Sequence, residues 1–188
     1  MIRFAKKEDQ PKIAELILVI LKDMELPFLN KVDEQTTLKI LQEAMQDPEY
    51  RYGRKHGLVN EVDGEVAGIA FGYFASEEET IDRSLEKVLA KYNVADQSMF
   101  GEKESFAGEW YLDTLCVDAA YRGQGIATAL LDATEDFAKK EGATVLGLCV
   151  DHANKKAQRL YEANGFKIVG EQIISDHPYH HMQKEIQP

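Results

Sequence analysis

The chain has 188 residues, 44% hydrophobic and 29% charged, a balance that argues against a disordered or fibrous polypeptide and suits a single globular domain spanning 1–188. Its 22 basic and 33 acidic residues give a formal net charge of −11, which argues against a nucleic-acid or anionic-membrane binder and favours a cationic partner wherever the acids gather. No window approaches the ~20 apolar residues of a membrane span, and the opening MIRFAKKEDQ lacks a leader's apolar core, so the expectation is a soluble cytoplasmic protein.

Residues 2–5 read as a short strand. From Pro11 to about Met24, Ile13, Leu16, Ile17, Ile20 and Leu21 recur at helical spacing. A second helix is predicted over Glu34–Gln46, stopped by Asp47-Pro48. Leu58–Val62 and Val66–Phe74 then alternate as strands around an Asp63-Gly64 hairpin turn. Residues 77–109 hold nine acids and four bases, a net of −5, so nearly half of the charge excess sits in 33 residues. Ile81, Leu85, Val88 and Leu89 predict one amphipathic helix there, followed by a loose stretch to about Gly108. This acidic insert reads either as a solvated face or as a rim that attracts a cation.

The second half alternates strand and helix. Trp110–Val117, Val145–Val150, Phe166–Ile174 and about His180–Ile186 read as strands, and Gly125–Lys140 and Asn154–Ala163 as helices. A strand, a crossover helix and a strand imply a parallel pair, whereas the early hairpin is antiparallel. The fold class predicted is therefore α/β, with a mixed sheet of six or seven strands and helices on both faces. Cys116 and Cys149 lie in apolar runs without CxxC spacing and read as reduced thiols.

The most informative stretch runs from Leu115 to Ala127. An apolar strand enters a turn holding Arg122, Gly123 and Gly125, then passes straight into a helix. Glycines let backbone approach a ligand, and a helix start presents unpaired N–H groups with the positive end of its dipole. Together they suit a phosphate or pyrophosphate. The spacing is neither GxxxxGK[ST] nor GxGxxG, since Thr128 stands where the third glycine would fall. A second block, Asn154 to Phe166, sets Asn154 at a helix N-cap, Ala157, Leu160 and Tyr161 near one helix face, and Gly165 at its end.

The two blocks together resemble the GCN5-related N-acetyltransferase (GNAT) superfamily. Arg122-x-x-Gly125-x-Ala127 is similar to its acyl-CoA pyrophosphate motif, and Asn154 to Phe166 to its N-x-x-A-x-x-L-Y-E-x-x-G-F block. The resemblance covers roughly residues 109–170 and implies a GNAT-like fold with a splayed parallel strand pair. It implies acetyl-CoA as co-substrate, with the backbone of Leu115, Cys116 and Val117 along the pantetheine arm. The N–H groups of Arg122, Gly123, Gln124, Gly125, Ile126, Ala127 and Thr128 would hold the pyrophosphate. Asn154 would touch the pantetheine, and Lys155, Lys156 and Arg159 either meet the adenosine phosphates or form a solvated face.

The chemistry implied is direct attack of an amine on the thioester in a ternary complex. Tyr161 matches the tyrosine that gives a proton to the leaving thiolate. Glu109 stands where relatives that acetylate protein N-termini carry a base. Asp113, alternating with Glu109 and Tyr111 on the strand, is either catalytic or a hydrogen-bonding strand residue. No metal is implied: His177, His180 and His181 lack a placed cysteine or carboxylate. The acceptor expected is a small cationic amine, with protein N-terminal or lysine acetylation as one alternative and a non-catalytic acyl-CoA sensor as another. No nucleic-acid or membrane partner is expected, and a homodimer, common in that family, is left open.

Overall fold

The structure, a computed structural model, describes residues 1–187. Among them are seven strands: β1 (Ile2–Phe4), β2 (Gly57–Val62), β3 (Glu65–Phe74), β4 (Trp110–Val117), β5 (Val145–Asp151), β6 (Lys167–Ile174) and β7 (His177–Glu185). They form one sheet in the order β1-β2-β3-β4-β5-β7-β6, and β4–β5 is its parallel pair. Five α-helices accompany it: α1 (Gln10–Asp23), α2 (Glu34–Ala44), α3 (Arg83–Lys91), α4 (Ile126–Lys140) and α5 (Lys155–Ala163). The expected mixed sheet with helices on both faces is the observed architecture.

Local chemistry explains the elements. Pro11 opens α1, and Ile13, Leu16, Ile17 and Leu21 bury its inward stripe. The Asp33 side chain caps α2 by accepting from the Thr36 N–H at 2.9 Å. Asp63 and Gly64 both take positive φ, 50° and 85°, the twist that a two-residue hairpin needs. Neighbouring residues of a strand feed opposite cores. Val59 and Phe71 join α1, α2 and α3 on one face, while Leu58 and Ala70 join α4 on the other.

Two irregularities in β4 shape the centre of the molecule. Its pairing with β5 extends only through Trp110↔Leu146 and Tyr111↔Gly147, after which the two strands part. The β5-facing backbone edge of residues 112–117 is thereby left without a strand partner. Against β3 the register slips, Phe71 facing Thr114 and Gly72 facing Leu112. Asp113 is the extra residue of that bulge, a device that re-aims a side chain.

The acidic insert differs from the expectation of a loose stretch. Glu78 turns inward and accepts from the Glu104 N–H at 2.7 Å, from the Ser105 N–H and from the Ser105 hydroxyl. Further along, the Glu102 carboxylate accepts from the Ser175 N–H, and Phe106 stacks on His181 with ring centres 3.6 Å apart. Residues 92–109 carry no strand or helix, yet side chains fasten them across the sheet. Among the described residues, no helix is long and apolar enough to cross a membrane.

Candidate active site

The parting of β4 and β5 opens a cleft of about 970 Å³ that draws its walls from both faces of the sheet. One end is formed by the Gly-rich turn, the start of α4 and the face of α5. Gly125 is the N-cap of α4 with φ 77°, a left-handed conformation that a side chain would strain. A Cβ built at Gly123 or Gly125 would meet nothing within 4 Å, so the approach to the backbone is open. The first N–H groups of α4, at Ile126, Ala127 and Thr128, have no intrahelical partner. Arg122, whose Nε donates to the Val117 carbonyl at 3.2 Å, stands beside them. The open turn, the orphan donors and the guanidinium fit a pyrophosphate.

The middle of the cleft is the unpaired edge of β4 facing α5. Leu115, Cys116 and Val117 line it, as do Ala157, Leu160 and Tyr161. Burial pushes the Tyr161 phenol up to about 12 and the Cys116 thiol up to about 11, so both keep their protons at neutral pH. Asn154 lines the cleft while its side-chain oxygen caps α5, accepting from the Ala157 N–H at 3.1 Å. Lys156 and Arg159 also reach the lining, whereas Gln124 and Lys155 do not.

The far end is acidic. Glu104 and Asp113 line it with Tyr111 and Tyr179, and Asp23 and Asp151 are two further carboxylates of the cleft wall. Asp113 is a fully engaged anion. It pairs with Arg51 and accepts from the hydroxyls of Tyr52 at 3.0 Å, Tyr73 at 3.2 Å and Thr114 at 2.9 Å. Arg51 also pairs with Asp82 at 2.7 Å. Glu104 accepts from the Tyr111 hydroxyl at 2.7 Å, and burial next to Asp113 pushes its carboxyl up to about 7. Burial likewise raises the Cys149 thiol beside it.

Glu109 is not part of the cleft. Its carboxylate is 0% exposed, accepting from the Phe106 N–H at 2.7 Å and the Gln183 amide at 2.7 Å, with His181 Nε2 at 3.0 Å. Gly147 opposite makes that possible, because a Cβ there would overlap the Glu109 carboxylate. Strand alternation puts Glu109 on the face of Tyr111, as expected, but long-range partners enclose it. The three late histidines also disperse, since His177 faces Asp151 and Glu25, His180 faces Glu171, and His181 faces Glu109. His152 joins His180 on Glu171, at 2.5 Å.

Sequence reasoning missed Arg51, Tyr52, Tyr73 and the role of Glu104. Arg51 and Tyr52 sit in an irregular segment between α2 and β2, where no periodicity marks an inward side chain. Glu104 was one acid among nine in the insert.

The family model described as "Acetyltransferase (GNAT) family" matches residues 24–166, three-quarters of the chain. The chain belongs to the GNAT acetyltransferase family. A crystal structure described as an acetyltransferase superposes with a TM-score of 0.89 at 50% identity, covering 100% of both chains. An N-acetyltransferase from Staphylococcus aureus Mu50 superposes with a TM-score of 0.86 at 31% identity, covering 97% of this chain and 99% of that one. Acetyltransferase Atu2258 of Agrobacterium fabrum is 43% identical over 63 residues, 34% of this chain and 44% of that protein. The match thus spans less than half the length of that curated relative. A GNAT-fold neighbour at 22% identity and a TM-score of 0.59, yncA from Salmonella typhimurium, was solved with its cofactor acetyl-CoA and shares the fold. The GNAT cleft of this chain has the parts such a co-substrate needs: an open anion cradle, an unpaired strand edge and a wall of apolar side chains.

Proposed function

We propose that this GNAT chain moves an acetyl group from acetyl-CoA to the primary amine of a small cationic acceptor. The observation that carries the reading is the polarity of one cleft, with an anion cradle at the α4 start and the carboxylates of Glu104 and Asp113 by the fork of β4 and β5, while Asp23 and Asp151 add two more to its wall. A polyanionic co-substrate and a cationic acceptor would be drawn to opposite ends and meet at the fork. Residues 1–187 act as one domain in this reading, because a single sheet serves both cores.

When bound, acetyl-CoA supplies an activated thioester. The N–H groups from Arg122 through Thr128 hold its pyrophosphate end, and the free edge of Leu115–Val117 aligns the arm. Holding both reactants in register supplies the largest part of the acceleration, since orientation is worth ~7–11 kcal/mol of a barrier. An N–H of that edge, at Cys116 or Val117, polarises the acyl carbonyl. Tyr161, kept protonated by burial, gives its proton to the departing sulfur. Asp113 lends negative charge to the acceptor end but is tied to Arg51 and three hydroxyls. Glu109 positions the segment before β4 and takes no part in proton transfer, which removes the residue that favoured protein N-termini as acceptors.

A panel of polyamines, aminoglycosides, amino-acid derivatives and peptides, assayed with acetyl-CoA by free thiol release, tests the reading. Turnover on small polycations and none on peptides is the expected result. Turnover on peptides alone would overturn the acceptor class, and acetyl-CoA binding without turnover on any amine would return the chain to a sensor role.

A further inference from the structure

We propose that Glu104, carried on the segment between α3 and β4, is the catalytic base that takes the proton of the acceptor ammonium. The inference rests on the acetyl-transfer reading above and deepens it, because it names the group that makes the amine nucleophilic.

Tyr111 is the last β4 residue paired with β5, so the Glu104 carboxylate bonded to its hydroxyl at 2.7 Å sits at the fork. Cys149, two residues past the β5 end of that pairing, has its Sγ 3.9 Å from the Glu104 carbonyl. Glu104 therefore occupies the acidic end of the cleft near the point where the acyl carbon would lie, on the side from which a cationic amine would enter.

The other polar groups around Glu104 are committed elsewhere. Asp113 is bound by Arg51 and three hydroxyls, and taking a proton would break the buried ion pair beneath it. Asp151 accepts from the Ala153 N–H at 2.8 Å and faces His177 at 3.4 Å. Tyr111 spends its proton on Glu104, and the Cys149 thiol is held protonated by burial. Glu104 accepts one side-chain hydrogen bond, which leaves its second oxygen for the amine.

The surroundings set its basicity. Tyr111 of β4 bonds this carboxyl, and Arg51 before β2, Tyr73 of β3, Glu78 after β3, Asp113 of β4, Cys149 of β5 and Tyr179 of β7 lie near enough for their charges and its own to interact. Burial, Asp113 and Glu78 disfavour its charge, while Arg51 and Tyr111 support it. The balance near 7 is where a base works best, half ready to accept and still strong enough to take a proton. The protons balance. Of the two that the ammonium nitrogen sheds, one passes to Glu104 and on to solvent, and the other offsets the one Tyr161 gives to the sulfur. The nitrogen lone pair forms the N–C bond as the C–S pair leaves with the thiolate.

The position is also built. Glu78 fastens the Glu104 and Ser105 amides, and the Gln172 amide nitrogen donates to the neighbouring Lys103 carbonyl at 3.3 Å. An acid that served only solubility would need no such anchoring.

The test uses the full chain with whichever amine turns over, following kcat/KM from pH 5.5 to 9 for wild type, Glu104→Gln and Glu104→Asp. Wild type should rise to a plateau with a midpoint near 7. Glu104→Gln should fall on the order of 10²-fold at pH 7.5 and lose the plateau, climbing with pH as free amine becomes available. Glu104→Asp should keep the plateau at reduced height, and calorimetric acetyl-CoA affinity should stay within about twofold in both variants. A Glu104→Gln enzyme with the wild-type profile, or one whose activity falls only in step with lost acetyl-CoA binding, overturns the proposal and leaves the transfer reading standing. A wild type that binds acetyl-CoA yet acetylates nothing overturns both.

Discussion

Arg51 and Asp113, far apart in the chain, form an ion pair beneath the cleft in which neither side chain is more than 5% exposed. The same guanidinium pairs with Asp82, donates to the Tyr73 hydroxyl at 2.8 Å, and lies 4.4 Å from the centre of the Phe100 ring. One side chain thus ties the irregular segment after α2, the acidic insert and the bulge of β4 to a single point. The acceptor end of the cleft takes its shape from that point.

Removing Arg51 should therefore cost more than removing one of its partners. Arg51→Met leaves two enclosed carboxylates facing each other, and a loss of about 3–5 kcal/mol in urea unfolding is expected. Asp113→Asn keeps the hydroxyl partners and leaves Arg51 its bridge to Asp82, so the expected loss is about 1–3 kcal/mol. The Asn variant should also keep the plateau of the pH–rate profile with its midpoint moved to lower pH, because the Asp113 charge that helps raise the Glu104 carboxyl is gone. Equal stabilities for wild type and Arg51→Met would show that the network contributes nothing.

Much of this could be read from the sequence where the signal is local. The Asp63-Gly64 turn, the strand from Trp110 to Val117 and the Asn154 cap each announce themselves within a few residues, and the structure has them in place. What could not be read depends on distant partners. Alternation places Glu109 beside Tyr111, but its enclosure comes from Gly147 across the strand and from His181 and Gln183 more than seventy residues on. The bulge at Asp113 leaves no trace in the hydrophobic pattern, because the pattern is broken by the residue being sought. Glu104 differs from the other acids of its insert only in what folds around it.

At the opposite end of the cleft, Gly125→Val should weaken acetyl-CoA binding by at least tenfold while the chain still folds. A β-branched residue at φ 77° carries strain of about 1–3 kcal/mol, and its side chain would stand in the open space over the α4 N–H groups. Calorimetry with acetyl-CoA reads the loss, and a thermal melt reads the strain. Unchanged affinity in a folded variant would remove the pyrophosphate from this turn.

Tyr161→Phe addresses the other proton. The ring would still pack against Phe166, at 6.0 Å between centres, and keep the wall of the cleft. Only the hydroxyl is lost. The expected result is a kcat lower by roughly 10²-fold with an unchanged acetyl-CoA dissociation constant. A donor thioester with a more acidic thiol should narrow the deficit, since a better leaving group needs less help from an acid. A deficit of the same size with both donors would mean that the hydroxyl serves geometry instead.

The carboxyl of Glu104 also leaves a mark on stability that can be read without any turnover. Its folded pKa, about 7, stands above the ordinary value of 4.5. Between those two values the folded chain holds a proton that the unfolded chain has released. The difference in bound protons makes stability fall as pH rises through this window, with the full contribution present below about 4.5 and gone above about 7. Other carboxylates act in the opposite sense: Asp9 and Asp118, held below their ordinary range by hydrogen bonds from Arg3 and Lys12, favour the folded state as pH rises. The comparison that isolates Glu104 is therefore wild type against Glu104→Gln. The amide oxygen can still accept from Tyr111, so its fixed contacts are close to those of the protonated acid. Near pH 4.5 the two proteins should unfold at similar urea concentrations. By pH 8 the variant should be the more stable by up to about 3 kcal/mol, the value of a shift of two to three pKa units. A stability difference that stays constant from pH 4.5 to 8 would mean that Glu104 titrates like an exposed glutamate, and the basis for its pH-7 limb in catalysis would go with it.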